Sequence, residues 1–291
     1  MFQHHQTPPT LPKRVVVLGA TGFVAAALIR HLDQAGFAVK AIGRDKIDLT
    51  APGAEARLSA ELEPDDALVF LSAITPDKGR GIDAFLANVR MGAAVCAAIE
   101  TKPPSHVVYL STDAVYPFVA GQTSETTPTA PADLYGAAHL SREIMLKGVV
   151  KCPLAILRPT LIYGAGDTHN SYGANRFRRM ARKERKITLF GGGEEMRDHI
   201  YIDDVVLLID LMLRRRSGGT LGLVTGRSIA FADLAKMVAA QFADPVEIAT
   251  LPRQMPITHR HYDATELSRA FPDFRATPLE EGVAIAHRSG D

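Results

Sequence analysis

The sequence predicts an α/β protein, a doubly wound and mostly parallel sheet with a smaller C-terminal lobe. Short β-branched apolar segments alternate with stretches of helical spacing, the pattern of buried parallel strands joined by crossover helices. Two glycines, Gly19 and Gly22, stand between the first such segment and the first helix. With 291 residues, 46% hydrophobic and 22% charged, the chain has enough material for one large domain and a lobe.

Residues 1–12 are polar, with three prolines and the adjacent His4 and His5, and are expected to form a disordered leader without the features of a signal peptide. Arg14 to Leu18 reads as a strand, and Val24, Leu28 and Leu32 give a helix that ends at Gly36. Ala38 to Ile42, Leu68 to Ser72 and Val107 to Leu110 repeat the buried-strand pattern, and Leu154 to Leu157 adds another after Pro153. Helices are expected over 84–100, where Phe85, Val89 and Ile99 lie among alanines, and over 134–146. Beyond Gly164 the chain becomes polar and loop-rich, with a Gly191-Gly192-Gly193 turn and several prolines after Pro252. Residues 13–164 are therefore assigned to the sheet domain, with 201–226 returning to it, and 165–200 with 227–291 to the lobe.

Lysine and arginine total 33 against 32 acids, so no global field recruits nucleic acid or an anionic membrane. No apolar run reaches the roughly 18 residues needed to cross a bilayer. Cys96 and Cys152 lack metal-ligand spacing and read as reduced thiols, consistent with a cytoplasmic location. The segment 176–186 carries seven basic residues and one acid; it reads as the solvated face of an amphipathic helix, with a phosphate or membrane contact as the alternative.

The first strand runs into Gly19-Ala20-Thr21-Gly22-Phe23-Val24-Ala25. Strand, glycine turn and helix N-terminus together bring backbone N–H groups and a favourable potential to a pyrophosphate, so the turn predicts a Rossmann-type dinucleotide site. Ala25 replaces the usual third glycine. The second strand ends in Gly43-Arg44 rather than an acid, which offers space and a guanidinium for a 2′-phosphate: NADP is the expected cofactor, with NAD possible. The alternative is that Arg44 is simply a solvated arginine.

Four further segments complete a set: Tyr109-Leu110-Ser111-Thr112-Asp113-Ala114-Val115-Tyr116, Tyr135-Gly136-Ala137-Ala138-His139, Leu157-Arg158-Pro159-Thr160-Leu161-Ile162-Tyr163-Gly164, and Arg197-Asp198-His199-Ile200-Tyr201-Ile202-Asp203-Asp204. With the glycine turn they resemble the extended short-chain dehydrogenase/reductase family, in its NAD-dependent epimerase/dehydratase branch, over residues 13 to about 210.

The resemblance implies hydride transfer on a nucleotide-linked sugar, as an epimerase or keto-sugar reductase. Tyr135 would exchange a proton with the sugar oxygen and Thr112 would hydrogen-bond that oxygen. Implied cofactor contacts are Gly19, Thr21, Gly22, Phe23, Val24, Arg44, Leu71, Ser72, Ala73, Tyr135, His139 and Pro159; Asp48 and Leu49 resemble the segment that meets adenine. Thr75, Asp113, Asn175 and Arg197 fall at substrate positions, with Arg197 as the grip on the diphosphate. Ser72 and Thr75 can also be read as ordinary loop hydroxyls, Asp113 as a cap, and Arg197 as a salt-bridge partner of Asp203 or Asp204. The resemblance also suggests a homodimer through the helices 84–100 and 134–146, faces that could equally be packed within one chain.

The chain departs from the family in two places. The family has a lysine four residues after the tyrosine, where it lowers the phenol's pKa and holds the nicotinamide ribose; here that position is His139. A histidine near pKa 6.5 is mostly neutral at pH 7, and a loss of two pKa units would cost about 2.7 kcal/mol in phenolate formation. That departure also admits a catalytically silent cofactor-binding regulator or scaffold. Dehydratases resembling this chain carry an Asp-Glu pair after the threonine, whereas Asp113-Ala114 lacks the second carboxylate, which ranks elimination below epimerisation and ketone reduction.

Overall fold

Val15, Val16, Val17 and Leu18 are wholly buried, as a strand covered on both faces by helices must be. In the computed structural model, which describes residues 1–170 and 172–290, this strand, Arg14–Leu18, pairs in parallel with Val39–Ile42 on one side and Asp66–Phe70 on the other. The seven-stranded sheet continues through His106–Leu110 and Leu154–Pro159 to Ser217–Leu223 and, at the edge, Gln3–His4. The chain order reverses beside Arg14–Leu18, and the carboxyl ends of strands at such a switch point form a ligand crevice.

The chain folds as two compact units. Unit 1 holds 1–117, 128–159 and 205–222, and unit 2 holds 118–127, 160–204 and 223–291. Residues 118–127, 160–164, 201–204 and 223–226 therefore lie outside the sheet unit, contrary to the sequence assignment. One reason is local: the strand Leu161–Tyr163 pairs with Met196–Tyr201 instead of extending the large sheet.

The leader is also corrected. Gln3 and His4 pair antiparallel with Gly218 and Ser217, His4 Nδ1 lies 2.8 Å from Ser217 Oγ, and Phe2 is buried. Burial of one phenylalanine ring offsets about 1.5–3 kcal/mol of chain ordering, which the polar residues around it concealed.

Unit 1 contains the helices Phe23–Gln34, Ala54–Glu61, Ile82–Thr101 and Leu134–Val149. Ile82–Thr101, at 20 residues, is long and apolar enough to cross a bilayer by length and composition, contrary to the sequence reading. Its Met91, Val95, Ala98 and Ile99 are nevertheless buried within the unit. It packs on Leu134–Val149 at Gly92, where a Cβ would stand 2.7 Å from Arg142 Cγ. Both cysteines are free thiols, and burial pushes that of Cys96 up to about 11.

Unit 2 has a three-stranded sheet in the order Ser228–Ala230, Met196–Tyr201, Leu161–Tyr163, and a parallel pair Lys186–Phe190 with Glu247–Leu251. Buried Asp198 accepts from Gly226 N at 2.7 Å, Thr225 N at 3.1 Å and Thr160 Oγ1 at 3.2 Å, which ties these strands together. The basic helix, Ala174–Glu184, is not a purely solvated face: Arg178 is buried and donates to the carbonyls of Ala286 and Gly290.

Candidate active site

The glycine turn has the geometry that a pyrophosphate requires. Gly19 has φ +88°, and a Cβ there would come within 2.9 Å of Ser72 Cα, N and Oγ, so only glycine fits. Gly22 caps the helix Phe23–Gln34 with no side-chain hydrogen bond and no acid in the first turn. Phe23 and Val24 are buried, leaving their backbone N–H groups as the donors; Thr21 is exposed. An uncapped helix N-terminus beside a glycine held in the left-handed region fits a dinucleotide phosphate. Ala25 is buried, so the missing third glycine is absorbed by packing.

The second-strand loop differs from expectation. The space over Gly43 is filled by the Asp45 carboxylate, so an acid does stand near the strand end. Arg44 is 81% exposed and pairs with Asp48 at 3.1 Å, and Asp48 also accepts from Thr50 N and Oγ1 at 2.9 and 2.6 Å. The hydrogen bonds from Thr50, then Arg44, hold the Asp48 carboxyl below its ordinary range. Leu49 is buried in the hydrophobic core, so its side chain does not face a ligand.

At the carboxyl end of His106–Leu110, Thr112 starts a short 3-10 turn, Asp113–Val115, and caps it by accepting from Ala114 N at 3.2 Å. The cap is thus Thr112, while Asp113 Oδ1 lies 3.4 Å from Thr112 Oγ1. Asp133 caps Leu134–Val149 by accepting from Gly136 N at 2.8 Å. A Cβ on Gly136 would overlap the Ala114 carbonyl, so this glycine lets helix and turn approach and brings Tyr135 close to Thr112.

Tyr135 is half-buried, and desolvation is the main force that raises its phenol's pKa above the ordinary range; Tyr109 and Asp113 add to the rise, while Arg142 and Thr112 oppose it. His139 is buried, 2% exposed, and desolvation followed by the Arg142 charge drives its pKa well below 6.5, so the imidazole is neutral. Its ring meets that of Tyr135 edge-on at 4.6 Å; Nδ1 lies 2.7 Å from Tyr109 Oη, and Nε2 is buried without a partner among the described residues.

Several residues that the sequence reading passed over complete unit 1. Asn88 brackets the loop after Asp66–Phe70: its Oδ1 accepts from Ile74 N and its Nδ2 donates to Ile74 O, both at 2.9 Å. Thr75 Oγ1 is buried without a partner among the described residues. Ile74, Arg80, Phe85, Asn88, Asp133 and Tyr135 line a depression that is partly open to solvent. Glu143 accepts from Ser111 Oγ at 2.6 Å and from Arg158 Nε and Nη2 at 3.0 and 2.6 Å, all in the interior. Leu71, Ser72 and Ala73 are half-buried and Pro159 is buried. A buried polar residue in an alanine-rich helix was the available signal for Asn88.

In unit 2 the two predicted substrate residues divide. Asn175 is buried and spends its amide on the loop, accepting from Gly164 N at 3.1 Å and donating to Asp167 Oδ2 at 2.9 Å, so its side chain is structural. Arg197 donates to Thr258 O at 2.6 Å and Thr258 Oγ1 at 3.0 Å, between the rings of Phe118 and Phe231 at 5.8 and 5.9 Å. Asp204, an expected salt-bridge partner, accepts from Thr277 N and Oγ1 at 2.8 Å instead.

Fold and site together define a Rossmann-type protein with a glycine turn at the switch point and Tyr135 beside Thr112 in the same unit. Residues 15–223 match the NAD dependent epimerase/dehydratase family, and the chain belongs to it. It is 32% identical to dTDP-L-rhamnose 4-epimerase of Burkholderia thailandensis over 42% of this chain and 36% of that protein. It is 30% identical to dTDP-4-dehydrorhamnose reductase of Streptomyces griseus over 53% and 51% of the two chains. The chain thus spans about a third to a half of these curated relatives. The UDP-glucose 4-epimerase of Thermus thermophilus, solved with NAD, shares the fold with a TM-score of 0.81 at 19% identity, over 95% of this chain and 99% of that one.

Proposed function

We propose that this protein transfers hydride between a nicotinamide dinucleotide and a nucleotide-activated sugar, and that it is poised for reduction of a keto-sugar. The observation that carries the reading is the half-buried Tyr135 phenol, which lies beside Thr112 and is kept protonated by its surroundings. A protonated phenol suits donation to a ketone oxygen that is gaining an electron pair. An epimerase must first remove a proton from a hydroxyl, for which this phenol is the weaker partner.

The nicotinamide supplies or accepts the hydride when bound. The chain's own residues do the rest: backbone N–H groups of 22–24 hold the pyrophosphate. Thr112 orients the sugar oxygen, and Tyr135 passes its proton to that oxygen. Arg197 grips the diphosphate by exchanging its neutral Thr258 contacts for charge-assisted ones.

Arg44 supports NADP and Asp45 supports NAD. The exposed Arg44–Asp48 pair is worth only a few tenths of a kcal/mol, which frees the guanidinium for a 2′-phosphate and gives NADP a modest preference. Exposed Ile82 and Ile144 on the two long helices supply the apolar contact of a homodimer, detectable by sedimentation.

The test is loss of 340 nm absorbance from NADPH or NADH with a panel of dTDP-, UDP- and GDP-linked 4-keto-sugars, with free nucleoside diphosphate as competitor. Turnover blocked by one diphosphate supports the reading. Cofactor binding without turnover of any member contradicts it.

A further inference from the structure

Tyr135 and Thr112 stand on different elements, the helix Leu134–Val149 and the turn that follows His106–Leu110, so their mutual placement is only as exact as the contact between those supports. The turn is short. Ser111 and Thr112 lead into Asp113–Val115, and Tyr116 closes it by donating its N–H to Asp113 O at 3.0 Å.

Both ends of this turn enter one buried polar network. Ser111 donates its N–H to Leu157 O at 2.7 Å and its hydroxyl to Glu143 Oε1 at 2.6 Å. Arg158 holds Glu143 from Nε to Oε1 at 3.0 Å and from Nη2 to Oε2 at 2.6 Å, and its Nη1 donates to Tyr116 Oη at 2.7 Å. Ser111, Tyr116, Glu143 and Arg158 are all buried, and Lys147, at 3.9 Å from Glu143 Oε2, adds a more distant cation.

Filling space does not account for the pair. Apolar side chains of similar size fill such a volume as well or better, because no ion has to leave water. What they cannot do is hold two buried hydroxyls in a set direction. Here a carboxylate accepts the Ser111 proton and a guanidinium donates to the Tyr116 oxygen, so each hydroxyl has one role. The helix that carries Glu143 carries Tyr135 about two turns earlier, and at Gly136 it closes on the Ala114 carbonyl.

We propose that Glu143 and Arg158 are positioning residues: the pair clamps the turn 111–116 at Ser111 and Tyr116 and thereby sets Thr112 beside Tyr135. The link to hydride transfer rests on the proposed function, whereas the clamp on the turn does not.

Ser111→Ala and Tyr116→Phe each remove one hydroxyl and leave the ion pair whole, which spares the fold an unpaired buried charge. The first measurement is hydrogen exchange of the ligand-free full chain at the Ala114 amide, whose N–H Thr112 Oγ1 accepts at 3.2 Å. Both variants are expected to speed that exchange about tenfold while Tm and exchange in Arg14–Leu18 stay as in wild type. Unchanged exchange at Ala114 overturns the clamp.

The second measurement is single-turnover reduction of the responding keto-sugar by NADPH-loaded protein. Each variant is expected to lower the rate about tenfold, the worth of one net hydrogen bond, with cofactor Kd and sugar KM within about twofold of wild type. In a Thr112→Val background neither substitution lowers it further, because a positioning residue acts through the hydroxyl already removed. No loss in either variant, or a loss that persists undiminished in Thr112→Val, overturns the proposal. If the wild-type protein reduces no keto-sugar while exchange at Ala114 responds as expected, the functional reading fails and the clamp stands.

Discussion

The glycine turn at 19–22 and the helix face from Tyr135 to Arg142 each follow the carboxyl end of a parallel strand, yet they tolerate change differently. Gly19 is fixed by steric exclusion: its φ of +88° and its approach to Ser72 leave no room for a side chain, and no other position can supply that absence. At His139, by contrast, a neutral imidazole occupies the position of the family's lysine, its ring 4.6 Å from that of Tyr135. Backbone geometry at the turn is therefore fixed by sterics, whereas the polar group on the helix face is open to substitution.

The largest expected effects fall on the steric side. Gly19→Ala should raise the cofactor Kd at least a hundredfold by calorimetry, and Gly136→Ala should reduce turnover comparably by driving Tyr135 from Thr112. Wild-type behaviour in either would break the contrast.

The buried ion pair comes next. Glu143→Leu leaves Arg158 charged and unpaired in the interior and should cost about 3–5 kcal/mol in urea unfolding, whereas replacing both residues by apolar ones should cost less. Equal costs would mean that packing, not charge, dominates there.

Three buried histidines, His106, His139 and His199, give a pH signature. Desolvation pushes His106 and His199 down to about 4, while the unfolded chain titrates near 6.5. Below 6.5 the unfolded state binds more protons, so stability is full above that pH and falls as pH drops toward 4, by up to about 3 kcal/mol for each residue. Urea midpoints at pH 7, 5.5 and 4.5 check the sign, and His106→Gln should flatten the slope.

The smallest effect sharpens cofactor choice. Arg44→Ala should weaken NADPH about tenfold and leave NADH within twofold, and Asp45→Ala should do the opposite by strengthening NADPH. Parallel losses for both cofactors would assign Arg44 to the surface alone.

Legibility in the sequence follows the same division. The central strands Arg14–Leu18, Asp66–Phe70 and His106–Leu110 were readable because burial on both faces demands unbroken apolar runs, and the glycine turn because its chemistry is local. Gln3–His4 was hidden because one buried ring, Phe2, sits among polar residues, and Ala54–Glu61 because only Ala54 and Leu58 are buried along it. Thr112 and Tyr135 were found through motifs. The contact of Tyr109 with His139, 30 residues apart, and that of Asn88 with Arg142, 54 apart, exist only once strand and helices are packed. The Asn175 amide was misread for the same reason, since Asp167 and Gly164 claim it only in the folded loop.

The most direct test of the central claim is a single-turnover reaction of NADPH-loaded protein with the keto-sugar that responds best, comparing wild type with Tyr135→Phe. The account predicts a loss of at least a hundredfold in hydride transfer with cofactor affinity unchanged. Equal rates in the two proteins would remove Tyr135 as proton donor and contradict it.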